Sequence, residues 1–129
     1  MKPHQLIGLP YRLGADPIKH HAVDCVSLAR TVLKYYGINS PEPKRDWYRR
    51  VRKKDFDIFK EELEKWGNET KQFNIGTVAL CKSNNGFGLA VYYEEGWINC
   101  GESEVRWSPL DGLEVVGCYS PQKSNYVKQ

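Results

Sequence analysis

Apolar side chains recur at helical spacing over 25–36, where Cys25, Leu28, Ala29, Val32, Leu33 and Tyr36 fall at the i, i+3, i+4, i+7 positions of one helix face. Asp24 stands at the N-cap of that helix and Gly37 where the chain must leave it. A second stripe, Phe56, Phe59, Leu63 and Trp66, predicts a helix over 55–66 that stops at Gly67-Asn68, with Glu61 and Lys65 as an i, i+4 ion pair in the favourable order. Between the two stripes, Asn39-Ser40-Pro41-Glu42-Pro43 breaks the helical pattern, because proline lacks an amide donor and keeps the preceding residue out of the helical region.

Past residue 75 the pattern becomes that of strands. Segments 76–82, 87–93, 97–100, 104–107 and 113–119 are rich in Val, Tyr, Trp and Leu, and Asn84-Asn85-Gly86 and Glu94-Glu95-Gly96 read as hairpin turns. Helices followed by short antiparallel strands predict an α+β fold, with the N-terminal helices packed on an antiparallel β-sheet or half-barrel. Within 88–92, Gly88, Ala90 and Tyr92 share one face, and the small residues at 88 and 90 suggest room for a close helix, or a turn-exit glycine. Residues 1–120 read as a single domain, and 121–129 as a polar tail.

Cys25 opens the first helix. Unpaired N–H groups and the positive end of the helix dipole favour a thiolate there, so this is a place for a thiol nucleophile. A hydrolase also needs a base and a group to orient it. The alternative is a small buried core residue, the usual state of a free cysteine.

Pro10-Tyr11-Arg12-Leu13-Gly14 followed by Asp24-Cys25-x-x-Leu28-x-Arg30-x-Val32 resembles the N-terminal signature of the NlpC/P60 cysteine peptidases. These are papain-like enzymes that cut peptide bonds in bacterial cell-wall stems. The Gly37-Ile38 helix end and Asp46-Trp47 are similar to forms found in phage tails. The likeness extends, less specifically, through Ile75-Gly76-Thr77-Val78-Ala79-Leu80 and Gly88-Leu89-Ala90-Val91-Tyr92 to Trp97-Ile98-Asn99, covering most of the chain from Leu6 to Tyr119. The resemblance implies Cys25 as nucleophile, Asn99 as the group that orients the base, and Tyr11 as a further site residue.

The base itself is missing, since Gly88 stands where the family has histidine. His4, His20 and His21 all precede Cys25, and only His20 or His21, folded back, would serve as a substitute. Without an imidazolium partner the thiol is expected to titrate nearer about 8.5 than the values of about 3–4 seen in His-paired cysteines. A metal site built from His20, His21, Asp24 and Cys25 fits no closed four-ligand spacing, and no cofactor is expected.

At 129 residues, 40% hydrophobic, the chain can bury one core without disulfides. Cys25, Cys81, Cys100 and Cys118 form no C-x-x-C pair; a Cys100–Cys118 bridge stays open. With neither a bilayer-length apolar run nor a signal-peptide core, the sequence predicts no membrane span and synthesis in the bacterial cytoplasm, with export only as part of an assembly such as a virion. Lys44, Arg45, Arg49, Arg50, Arg52, Lys53 and Lys54, interleaved with Trp47 and Tyr48, form a basic stretch. A solvated helix face is the first reading, since the whole chain is only +3; next comes an acidic protein surface bound by Arg49, Arg50 and Arg52, with nucleic acid behind it. Trp47 reads as a core anchor.

Together these readings describe an NlpC/P60-like domain with a degraded catalytic site, serving as a structural phage tail or baseplate component with other tail proteins as partners. The alternatives are an active peptidoglycan endopeptidase acting on stem peptides, and a ligand- or protein-binding module that uses the old cleft.

Overall fold

The long N-terminal helix is fixed at both ends by its own sequence. In this computed structural model, which describes residues 1–101 and 103–127, α1 (Pro17–His20) is a single turn and α2 (Cys25–Tyr35) is the helix of the first stripe. Asp24 Oδ1 accepts from the Ser27 N–H at 2.8 Å while Ser27 Oγ accepts from the Asp24 N–H at 3.0 Å, a reciprocal capping box. At the other end Gly37, with φ +74°, lets the Ile38 N–H reach the Leu33 carbonyl at 2.9 Å and its own N–H reach Lys34 at 3.0 Å. This is the Schellman arrangement that glycine permits. Ile38, just beyond, is buried.

The fold is α+β, with four α-helices and a curled six-stranded antiparallel half-barrel among the described residues. Helices α3 (Arg45–Arg52) and α4 (Asp57–Trp66) complete the helical part, and the strands are β1 (Gly67–Glu69), β2 (Val78–Ser83), β3 (Gly86–Tyr93), β4 (Gly96–Cys100), β5 (Val105–Pro109) and β6 (Glu114–Pro121). The sheet order is β1-β6-β2-β3-β4-β5. Tyr93 pairs with Gly96 across a tight β3–β4 hairpin whose two central residues, Glu94 (φ 49°) and Glu95 (φ 59°), are both left-handed, the geometry that follows the twist of the strands.

Helix α2 lies on β3 and β4, so that Leu28, Val32, Val91 and Ile98 are wholly buried between them. A smaller cluster occupies the opposite face of the sheet, around Ala79, Cys81, Ala90, Trp97 and Cys118. There Trp97 is capped edge-on by Phe73, with ring centroids 5.3 Å apart, and its indole N–H donates to the Leu110 carbonyl at 3.2 Å. Cys100 packs with the α2 side and Cys118 with the other, so the bridge left open by the sequence is ruled out by the sheet between them; all four cysteines are free.

Three local expectations change. Gly67-Asn68 does not merely stop α4 but starts an edge strand, because Gly67 sits opposite Pro121 and a Cβ there would lie 2.4 Å from the Ser120 carbonyl oxygen. Glu61 does not pair with Lys65; Arg50 takes it with both terminal nitrogens, at 2.9 and 2.6 Å, and Lys65 turns to Glu62 at 3.1 Å. A planar guanidinium matches both carboxylate oxygens at once, which an ammonium does not. The polar segment after Pro121 is held down: Asn125 receives the Asn39 N–H at 2.7 Å and donates from its side chain to the Trp66 carbonyl, and the Val127 N–H reaches Gly37 at 2.8 Å.

Candidate functional site

Cys25 occupies the first position of α2, and Asp24 ties the preceding chain to it. Besides capping the helix, Asp24 accepts the Gly14 N–H through Oδ2 at 2.8 Å, at a glycine whose φ of +82° suits no other residue well. The segment between is held by a parallel bridge from Tyr11 to Val23. These local bonds place the Pro10–Gly14 signature beside the cysteine. Tyr11, Asp24, Cys25, Gly88 and Asn99 all line one cavity of about 640 Å³.

The β3–β4 ladder ends at the Ala90–Asn99 pair, and past it the Leu89 N–H turns to Cys25. That group and the N–H groups of Cys25 and Val26 favour the thiolate, as expected of a helix start. They are outweighed. Cys25 is half-buried at the wall of the cavity, and burial, reinforced by the Asp24 carboxylate, pushes its thiol up to about 12. The thiol thus lies on the far side of 8.5 from the His-paired range, as expected without an imidazolium partner, and it lies higher still because the helix end is worth less than the desolvation.

Gly88 is also different from its expected role. Its backbone is ordinary and a Cβ built on it meets nothing within 4 Å, so no helix crowds it and no turn requires it. It lies within β3, opposite Cys81. Asn99 is 7% exposed, and its amide nitrogen donates to the Trp97 and Arg106 carbonyls at 3.2 and 3.3 Å and to Ser108 Oγ at 3.1 Å. Those bonds lock the side chain to β4 and β5 and leave Oδ1 without a donor among the described residues.

None of the three histidines lines this cavity. His4 lies in a 3₁₀ turn, His20 Nδ1 accepts the Asp16 N–H at 2.9 Å, and His21 ends α1 with φ 50°. Among the described residues no group of His, Cys, Asp and Glu is placed to hold a metal ion.

No family model and no curated protein matches the sequence. The site is therefore read from its own geometry. Two side chains that sequence reasoning left without a role stand in it. The Tyr48 hydroxyl, on α3, is pushed up to about 12 by burial and by Asp24 and Cys25, with Arg30 acting the other way. Tyr11 is raised to about 12 as well, by burial first and then by Cys25, Asp24 and Cys100. Arg30, one position past the apolar stripe of α2, lines the same cavity. The only sequence signals for these two were the Arg30-x-Val32 step of the signature and the Trp47-Tyr48 pair inside a basic run.

The basic trio divides. Arg49 pairs with Asp46 on its own helix, Arg50 bridges Asp55 at 2.7 Å and Glu61, and Arg52 lines the cavity without an ion pair among the described residues. Trp47 is buried as an anchor. No helix among the described residues is long and apolar enough to cross a membrane.

Proposed function

We propose that this chain is a papain-like, NlpC/P60-type domain whose hydrolytic centre is silent and which works as a structural component of a phage tail or baseplate. The observation that carries this reading is the pairing of a protonated Cys25 with a base position held by Gly88, in a cavity that no histidine enters. A thiol near 12 has no base to take its proton and none to protonate a leaving amine, so general acid–base catalysis and nucleophile activation fail together. Asn99, kept in place by three hydrogen bonds, is then a structural remnant of the orienting group. Arg49 and Arg52 on α3 offer the face for an acidic tail partner, while Arg50 is committed within the fold.

The test has two arms. Purified protein should release no product from muropeptides, and Cys25→Ala should co-assemble with its tail partners as well as the parent. Charge reversal at Arg49 and Arg52 should weaken that assembly in a salt-dependent way. Failure of Cys25→Ala to assemble while folding normally would overturn the structural role.

A further inference from the structure

The cavity at Cys25 is larger than a vestigial cysteine needs. Away from the thiol it runs over Val51, Phe56, Phe59, Leu63, Phe87 and Leu89, an apolar wall supplied by α3, α4 and β3. Its volume of about 640 Å³ falls within the roughly 300–1,000 Å³ of small-molecule sites.

Its charge is one-sided. Among the described residues, Arg30, Arg52, Lys54 and Lys82 line it against two acids, Asp24 and Glu62. Both acids are occupied, Asp24 by the Gly14 and Ser27 N–H groups and Glu62 by Lys65. Arg30 has no such partner: its Nε is buried and makes no hydrogen bond among the described residues. A buried guanidinium donor left unpaired is costly, and elsewhere this chain satisfies Arg50 with two carboxylates. An anion in the cavity would supply that partner.

We propose that the cavity binds a free aliphatic-chain carboxylate, with the carboxylate on Arg30 beside the Tyr48 hydroxyl and the chain along the apolar wall. This needs neither hydrolysis nor a tail partner, so it stands or falls separately from the structural role.

The full chain is titrated calorimetrically with octanoate, decanoate and dodecanoate below their micellar concentrations, and with dodecanol and dodecyltrimethylammonium. Dodecanoate should bind, with affinity rising roughly fourfold at most for each methylene added. Dodecanol should bind more weakly and the cationic amphiphile least. Arg30→Gln should weaken dodecanoate by about tenfold or more and leave dodecanol nearly unchanged, while Arg30→Lys should recover part of the loss. Circular dichroism confirms that both variants fold. The proposal is overturned if dodecanoate does not bind the parent protein, if the cationic amphiphile binds equally well, or if Arg30→Gln weakens the acid and the alcohol alike.

Discussion

Placing a histidine at position 88 is the perturbation that most fully exercises the geometry of the site. Because a Cβ at Gly88 meets nothing within 4 Å and the backbone there is unstrained, Gly88→Ala should gain about 0.4–1 kcal/mol by reducing unfolded-chain entropy, and Gly88→His should fold. The effect on chemistry is larger. A thiol near 12 is ionised in only about one molecule in 10⁵ at pH 7, against about 3% for an unperturbed cysteine, so native Cys25 should alkylate about a thousandfold more slowly than in the unfolded chain. Gly88 and Cys25 line the same cavity, Gly88 from the face of β3 that carries Ala90, and Asn99 Oδ1 has no donor among the described residues and could orient an imidazole there. An ion pair there should raise the alkylation rate at pH 7 by at least about a hundredfold. The assay is iodoacetamide labelling with peptide mapping, since Cys81, Cys100 and Cys118 are protected too and must be followed separately. Parent Cys25 labelling in the native protein at the unfolded-chain rate would refute the reasoning about burial. An unchanged rate in folded Gly88→His would show that position 88 does not face the sulfur.

Alkali should destabilise the fold: Cys25 and Cys81 are both held at about 12 by burial, so the unfolded chain releases those protons first, and stability that is complete below about pH 8.5 should be lost as pH rises through 12. Urea midpoints at pH 7.5, 9 and 10.5 should fall in that order, and equal midpoints would contradict it. Asp24→Ala removes the N-cap and leaves the Gly14 N–H without its acceptor, so it should cost about 2–4 kcal/mol in urea unfolding, several times the effect of an exposed acid such as Glu64→Ala. Glu95→Gly relieves a left-handed residue in the β3–β4 hairpin and should stabilise by about 1 kcal/mol, seen as a higher midpoint.

What was legible in the sequence is what is decided locally. The α2 stripe, its Asp24 cap and its Gly37 exit depend on residues a few positions apart, and the hairpin turns at 84–86 and 94–96 mark their own reversals. The start of α4 differs by two residues because Asp55 leaves the helix to meet Arg50. What depends on distant parts of the chain was not legible. Whether Gly88 is crowded is decided by what distant segments pack on its face of the sheet, and whether Cys25 ionises by how deeply the rest of the fold encloses it. The choice of Arg50 by Glu61, eleven residues apart, and the capture of Asn39 and Trp66 by Asn125 are tertiary outcomes that no periodicity announces.

Hydrolysis of muropeptides by purified parent protein, compared with Cys25→Ala and followed by mass spectrometry of the products, tests the central claim most directly. A silent centre gives no cleavage above background for either protein at neutral pH. Cleavage by the parent that disappears in Cys25→Ala would contradict the account, because it would require a base that the cavity does not show.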